Sequence, residues 1–117
     1  MVAAAKLQRH VGRKRAGRFL AEGPNLVEAA LRRGLVSEVF ATSGALERFG
    51  ALLDGAPVSV ITEKAAKALS ETVTPIGLIA VCALPETSLE TVLAAEPRLL
   101  AVPVGMSEPG NAGTLIR

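Results

Sequence analysis

The 117-residue sequence has few aromatic side chains and little cysteine, and it has no tryptophan or tyrosine. The aromatic residues are Phe19, Phe40 and Phe49, so the core must consist mainly of aliphatic side chains. We expect these three rings to lie in the core, which disfavours a module that binds single-stranded RNA by stacking bases on exposed rings. Cys82 lies in an apolar run and has no second cysteine, so we predict a buried structural thiol without a disulfide.

Long apolar runs are also absent, since no span of 18 apolar residues occurs. The apolar start, residues 1–5, is shorter than the apolar region of a signal peptide. We therefore expect a cytoplasmic protein without a membrane partner. An arginine-rich and acid-free start also fits an organelle transit peptide, but residues 19–23 follow too directly for a cleavable leader to be preferred.

Acidic residues are missing from the first 21 positions, although the formal net charge of the chain is only +2. The rest of the chain has seven basic residues against eleven acidic ones, so positive charge is concentrated at the N-terminus. A cluster of this kind favours docking of a polyanion, either RNA or DNA, and predicts binding that weakens with salt. A solvated basic tail without a partner is the alternative. The residues predicted to contact RNA in this segment are Lys6, Arg9, Arg13, Lys14, Arg15 and Arg18.

Two other polar residues, His10 and Glu22, have side chains that can take part in a site. His10, the only histidine, has no serine, cysteine or acidic companion at a recognisable spacing, so we predict neither a catalytic triad nor a metal site. Glu22 has two interpretations: an acceptor or cap before the helix that begins at Pro24, or a residue that shapes an RNA contact. Paired carboxylates typical of general acid and base catalysis do not stand out in the sequence.

Segments with strand character alternate with segments of helical periodicity along most of the chain. Such alternation with short connections favours a mixed or mainly parallel sheet with helices on both faces, and we predict a small three-layer α/β sandwich. The predicted strands are residues 18–21, 39–41, 58–61 and 77–83, and the predicted helices are residues 2–12, 24–33, 46–53 and 63–69.

Local signals refine these helices. In the first helix, Ala3, Leu7 and Val11 share one face and are predicted to point inward. In the second, Pro24 suits the first helical turn and Gly34 the end. The predicted caps of later helices are Ser43, Thr62 and, in a capping box with Glu90, Thr87.

The C-terminal segment predicts a strand, a tight loop and the start of a helix. Residues 99–104 are apolar enough for a buried strand, residues 109–113 suit a turn, and a helix is expected to begin at Thr114. Such a junction presents backbone N–H groups to an anionic ligand. A plain turn rich in proline and glycine is the alternative.

The same segment carries a resemblance to a known family. The pattern Pro109-Gly110-Asn111-x-Gly113-Thr114-x-x-Arg117 after an apolar strand resembles the first signature motif of the SpoU (TrmH) RNA 2′-O-ribose methyltransferases. The runs Arg13-Lys14-Arg15-x-Gly17-x-Phe19-Leu20-x-Glu22-Gly23 and Leu69-Ser70-x-Thr72-x-Thr74-Pro75-x-Gly77 resemble the substrate-binding domain of that family. Ile76 stands where the family usually has glutamine.

The resemblance implies a domain arrangement. Residues 1–84 would be an RNA substrate-binding domain, similar in fold to the kink-turn-binding ribosomal proteins. Residues 85–97 would be a linker with one helix, and residues 98–117 would contain the first strand of a truncated SPOUT domain. We expect the full-length enzyme to dimerise through its missing domain and the 117-residue chain to be a monomer.

The resemblance also implies an activity, which is methyl transfer from S-adenosylmethionine to a ribose hydroxyl of RNA, and we expect 23S ribosomal RNA as the target. Asn111 and Arg117 match catalytic positions of the full-length enzyme, and Thr74 joins the basic residues as an RNA contact. The S-adenosylmethionine motifs lie beyond Arg117, so we expect the chain alone to be inactive and not to bind the cofactor.

Two further hypotheses remain open from the sequence. The chain can be read as a stand-alone RNA-binding adaptor of the ribosomal-protein type, with a fold closed by Ala83 and residues 85–117 as a tail. It can also be read as a nucleotide-phosphate binder that uses residues 110–113. The last ranks lowest, because the lysine of a P-loop and the G-x-G-x-x-G spacing are absent.

Overall fold

A computed structural model describes all residues, 1–117, and the chain divides into two compact units, Met1–Pro85 and Glu86–Arg117. The first unit contains a four-stranded sheet and the second contains helices and extended segments. No helix of either unit is long and apolar enough to cross a bilayer.

The N-terminal segment is not one helix over residues 2–12, as the sequence predicted. It forms α1 (Val2–Ala5), a 3₁₀ turn (Lys6–Gln8) and α2 (His10–Ala16), and the break falls at Arg9, whose backbone is extended. After this break α2 folds back over the turn. Leu7 is buried as expected, but Ala4 is buried in place of Ala3, and Val11 is 75% exposed.

The sheet is mixed, as predicted, with the strand order β1-β4-β2-β3. The second strand in this order, β4, is flanked on both sides, pairing antiparallel with β1 and with β2, while β2 and β3 are parallel. All but the last residue of β4 are buried, in agreement with its continuous apolar sequence. The strands are β1 (Arg18–Glu22), β2 (Val36–Ala41), β3 (Val58–Val60) and β4 (Leu78–Ala83).

The helices that cover the sheet begin and end at local signals. The first of them begins at Pro24, as predicted, and buries Val27 and Ala30. The hydroxyl of Thr62 accepts a hydrogen bond at the start of the third helix, as predicted, but Thr42 and not Ser43 caps the second. These helices are α3 (Pro24–Arg32), α4 (Ser43–Phe49), which continues into a 3₁₀ turn (Gly50–Leu53), and α5 (Glu63–Leu69).

The core has two parts, one on each face of the sheet, which confirms the three-layer arrangement. On one face, Val27 of α3 and Ala45 of α4 pack with Leu78 and Cys82 of β4. On the other, Leu7 of the N-terminal segment packs with a second set of buried side chains. That set also contains Ala4, Phe40, Leu69, Ile79 and Val81. Cys82 is a free buried thiol, as predicted.

The second unit contains α6 (Leu89–Ala94) and α7 (Pro109–Ile116). The capping residue of α6 is Ser88 and not Thr87, because the Ser88 hydroxyl accepts from the backbone N–H of Thr91. The predicted strand at residues 99–104 does not form, and Leu99 and Val104 are about nine-tenths exposed. A strand requires a paired neighbour, and this unit contains none.

Helix α7 begins earlier than the sequence predicted. Pro109 occupies its first turn, so the expected turn at residues 109–113 is helical and Thr114 lies in the helix interior. Proline favours the first helical turn because it lacks an N–H that would be unpaired there in any case. The expected junction of strand, loop and helix is therefore absent from this segment.

Candidate nucleic-acid interface

A groove of about 900 Å³ lies between the start of the chain and α2. The groove is lined by Lys6 of the 3₁₀ turn, by Arg9 directly after this turn and by Arg15 of α2. No acidic residue lines the groove. The break at Arg9 therefore brings three of the seven predicted RNA contacts to one surface.

The cations of this groove are not neutralised within the chain. The only ion pair joins Arg32 to Glu28, four residues apart on α3. Lys6, Arg9 and Arg15 are exposed and donate no side-chain hydrogen bond, in contrast to Arg13 and Arg32. Their charge is consequently available to an anionic ligand.

The groove is attached to the first unit by packing and by a long-range hydrogen bond. Ala4 and Leu7, which lie between groove residues along the chain, are buried against the sheet. The side-chain amide of Gln8 donates to the backbone carbonyl of Ala68, near the end of α5, at 2.9 Å. These contacts hold the basic segment on the fold, so it is not a free tail.

Arg13 has a structural contact that the sequence did not predict. Its Nη1 atom donates to the carbonyl oxygens of Gln8 and Leu7, at 2.7 and 3.0 Å. These oxygens belong to the 3₁₀ turn, where carbonyls lack helical partners. The guanidinium thus fastens α2 to the turn, and Arg13 lines a different cleft from Lys6, Arg9 and Arg15.

Gly12 permits the same close packing. A Cβ atom built on Gly12 would lie 1.9 Å from the carbonyl oxygen of Lys6, far inside van der Waals contact. Only a residue without a side chain fits this position while α2 keeps its place against the turn. Gly12 and Arg13 together fix the geometry of the groove.

The remaining predicted RNA contacts lie elsewhere on the first unit. Lys14 is exposed on α2, and Arg18 lines a smaller cleft that also contains the carboxylate of Glu38. Thr74 is exposed in the loop between α5 and β4. The structure therefore separates these residues from the groove and does not assemble all predicted contacts at one point.

Glu22 is not the cap of α3, because the N-cap of that helix is Gly23 and has no side-chain hydrogen bond. Its Oε1 atom accepts hydrogen bonds from the hydroxyls of Ser70, at 2.6 Å, and Thr72, at 3.1 Å. Ser70 and Thr72 lie at the start of the loop that carries Thr74. Glu22 therefore braces that loop against the end of β1.

A second cleft, of about 470 Å³, lies beside this network. Glu22 and Glu71 line it together with Arg13. Because it contains two carboxylates, it is less suited to phosphate than the groove at α2. The far end of the same loop is fixed by Gly77, which has a φ of +79° and approaches Thr42 too closely for any side chain.

Asn111 and Arg117 lie in the second unit and are both exposed on or beside α7. Positions six apart in a helix are separated by about 9 Å along the axis and about 120° around it, so the helix does not bring these side chains together. No side chain of residues 86–117 is buried.

Sequence reasoning missed three parts of the groove. Val2 and Val11 line it, although Val11 was expected in the core, and Gly12 lies in the fold-back where the sequence predicted the last residue of a helix. The two glycines near the basic run, Gly12 and Gly17, were the available signal for a tight fold-back at this place.

The sequence matches a known protein family and a known relative. Residues 3–80 match the family described as MRM3-like substrate binding domain. The chain is 35% identical over 114 residues to 23S rRNA (guanosine(2553)-2′-O)-methyltransferase RlmP of Bacillus subtilis (strain 168), a match that covers 96% of the chain and 43% of RlmP. The chain thus spans less than half the length of this relative.

Solved structures show the same similarity. A crystal structure of an RNA 2′-O ribose methyltransferase has a TM-score of 0.74 and 26% identity, over 98% of this chain and 46% of that one. The SpoU methyltransferase AviRb from Streptomyces viridochromogenes, in complex with the cofactor AdoMet, has a TM-score of 0.56 and 26% identity. That match covers 75% of this chain and 36% of AviRb.

Proposed function

Because the chain belongs to the family of MRM3-like substrate binding domains, we propose that it is the target-recognition region of an RNA 2′-O-ribose methyltransferase of the SpoU family. In this proposal the first unit, Met1–Pro85, docks the RNA. The relative from Bacillus subtilis acts on 23S rRNA by its name, and we extend that substrate, 23S ribosomal RNA, to this protein.

One observation carries the proposal: Lys6, Arg9 and Arg15 line one groove that contains no carboxylate. Phosphate groups are the part of RNA that such cations recognise, and neutralising each phosphate releases counterions. Arginine also presents a planar fork that can stack on an unpaired base or bind a phosphate with two hydrogen bonds.

The reaction that we propose for the whole protein would transfer the methyl group of S-adenosylmethionine to a ribose 2′-oxygen. S-adenosylhomocysteine would be the leaving group, and the hydroxyl proton would go to solvent. Arg117 would stabilise the negative charge that develops on this oxygen, because a guanidinium stays protonated at neutral pH. Asn111 would shape the same site. Residues 86–117 bury no side chain, so we assign no cofactor contact to them.

The remaining properties of the whole protein follow the same proposal. We propose that cofactor binding and dimerisation reside in regions outside these 117 residues, since the chain spans 43% of its Bacillus subtilis relative. A cytoplasmic location is proposed because ribosomal RNA is the substrate.

The test compares two triple variants in RNA binding by the 117-residue chain. Lys6, Arg9 and Arg15 changed to Ala should lower affinity and reduce the slope of log K against log salt by about 2 to 3. The control changes Arg33, Arg48 and Lys64, exposed cations outside the groove, to Ala. Both variants lose the same net charge, so equal slopes for the two would contradict the proposal.

The adaptor hypothesis is supported by one observation, which is that Met1–Pro85 forms a compact unit of its own. An adaptor would bind RNA with the same salt dependence. The measurement that separates the two functions is therefore methyl transfer to RNA by the whole protein. An absence of transfer, with RNA binding intact, would favour the adaptor.

A further inference from the structure

The groove at α2 combines its cations with apolar side chains that are open to solvent. Val2 is 79% exposed and Val11 is 75% exposed, and both line the groove beside Lys6, Arg9 and Arg15. Such valines gain free energy only from a ligand that also presents an apolar surface. Phosphate recognition alone gives no role to these valines.

Paired RNA does not offer that surface. In an A-form duplex the base faces are stacked on one another, and the exterior presents phosphates, riboses and base edges. An unpaired nucleotide exposes a base face and carries a phosphate on each side. It is therefore complementary to the apolar and the cationic parts of the groove at once.

We propose that this groove binds an unpaired nucleotide of the RNA, with its flanking phosphates on Lys6, Arg9 and Arg15 and its base against Val2 and Val11. The inference rests on the proposed function and adds selectivity for unpaired over paired RNA. The two other clefts that basic residues share with carboxylates do not fit this ligand equally well, because Glu22 and Glu71 line one and Glu38 lines the other.

The groove is also preformed, because contacts within the first unit fix its shape. Gly12 lies against the Lys6 carbonyl, and Arg13 fastens α2 to the 3₁₀ turn by two hydrogen bonds. Gln8 ties the turn to Ala68 of α5. A preformed surface binds with a smaller loss of conformational entropy than a segment that must order on binding.

The experiment measures the affinity of the 117-residue chain for two RNA duplexes with the same number of phosphates. One is continuously paired and the other contains a bulged fluorescent purine analogue. We expect the bulged duplex to bind roughly tenfold more tightly. Val11→Ser should remove most of this preference without changing the salt slope, while the control Val60→Ser, on the exposed edge strand β3, should keep it.

Each outcome has one reading. The inference would be overturned by equal affinities for the two duplexes, or by equal effects of Val11→Ser and Val60→Ser. In either case, a salt slope that depends on Lys6, Arg9 and Arg15 would still uphold the proposed function. A salt slope that does not depend on these three cations would overturn both the inference and the proposed function. Binding to anionic phospholipid vesicles but to neither duplex would also overturn both, because the groove would then be a membrane contact.

Discussion

The guanidinium of Arg13 donates a hydrogen bond to the backbone carbonyl of Gln8, 2.7 Å away, and so closes the turn that precedes its own helix. A second bond from the same nitrogen reaches Leu7. This arginine was predicted to contact RNA together with its neighbours. Its contacts also give it a structural role that Lys14, the next residue, does not share, and its contact with RNA stays a prediction.

Arg13→Ala should therefore destabilise the chain. Charged hydrogen bonds to two carbonyls are lost, and we expect the free energy of unfolding to fall by about 1 to 2 kcal/mol. Lys14→Ala removes an exposed cation of the same helix and should change it by less than about 0.5 kcal/mol. Urea unfolding followed by circular dichroism measures both, and equal effects would assign Arg13 to the surface.

Gly12→Ala should lower the free energy of unfolding, although a helix propensity scale predicts a gain. Alanine is normally preferred to glycine inside a helix, but here its Cβ would lie 1.9 Å from the Lys6 carbonyl oxygen. Moving α2 away should cost about 1 to 3 kcal/mol. The control is Gly44→Ala in α4, where no atom lies within 4 Å of the added Cβ and a small stabilisation is expected.

The bond between Glu22 and Ser70 should be measurable as a coupling energy. A double-mutant cycle with Glu22→Ala and Ser70→Ala should give about 1 kcal/mol, because a part-buried carboxylate accepts from a hydroxyl at 2.6 Å. The matched pair is Glu38 with Ser59, at 3.2 Å and exposed, which should give a smaller coupling. A coupling near zero at Glu22 would mean that the loop is not held there.

Cys82 predicts a loss of stability at alkaline pH. Burial raises the pKa of its thiol above the ordinary value of 9.0, because the thiolate is poorly solvated in the core. Above pH 9 the unfolded chain releases this proton while the folded chain keeps it, so unfolding becomes more favourable by up to about 1.4 kcal/mol per pH unit until the folded pKa is reached.

Denaturant titrations of the wild type and Cys82→Ala at several pH values test this. Below pH 9 the free energies of unfolding of the two proteins should differ by a constant amount. Above pH 9 the wild type should lose free energy of unfolding relative to Cys82→Ala. Because the two proteins differ only at position 82, the contributions of all other groups cancel in the difference. A difference that does not change with pH would show that the thiol ionises equally in both states.

If the whole protein has the proposed methyltransferase activity, Arg117 is expected to matter for catalysis. Arg117→Ala should lower turnover by on the order of a hundredfold, and Arg117→Lys should restore it only in part, since lysine keeps the charge but loses the fork. RNA affinity should hardly change, because the proposed docking groove belongs to the first unit. Single-turnover methylation beside RNA binding separates the effects, and a near-normal rate in Arg117→Ala would contradict the role.

Much of the fold was predictable because its signals are local. Apolar periodicity located all four strands, and Pro24 and Thr62 marked the starts of α3 and α5 through contacts within one turn. The buried thiol of Cys82 followed from its apolar neighbours. The resemblance to the SpoU family is confirmed by the matching domain family and by similar structures, because it rested on several motifs spread along the chain.

The errors have equally definite causes. The strand expected at residues 99–104 requires a partner strand, and an apolar run cannot supply one. The helix expected over residues 2–12 has a suitable periodicity, but the burial of Ala4 and Leu7 and the fold-back at Gly12 outweigh it. Helix propensity is a weak preference that tertiary contacts override.

The sequence by itself determined the fold class, the family and the concentration of positive charge at the N-terminus, because composition, periodicity and motifs are properties of neighbouring residues. Only the tertiary structure decided which cations share a groove, why Arg13 turns inward, and how Glu22 reaches hydroxyls 48 and 50 residues away. The physical reason is distance along the chain: a hydrogen bond or a steric contact between remote segments depends on the packing of the whole unit, and no local pattern encodes it.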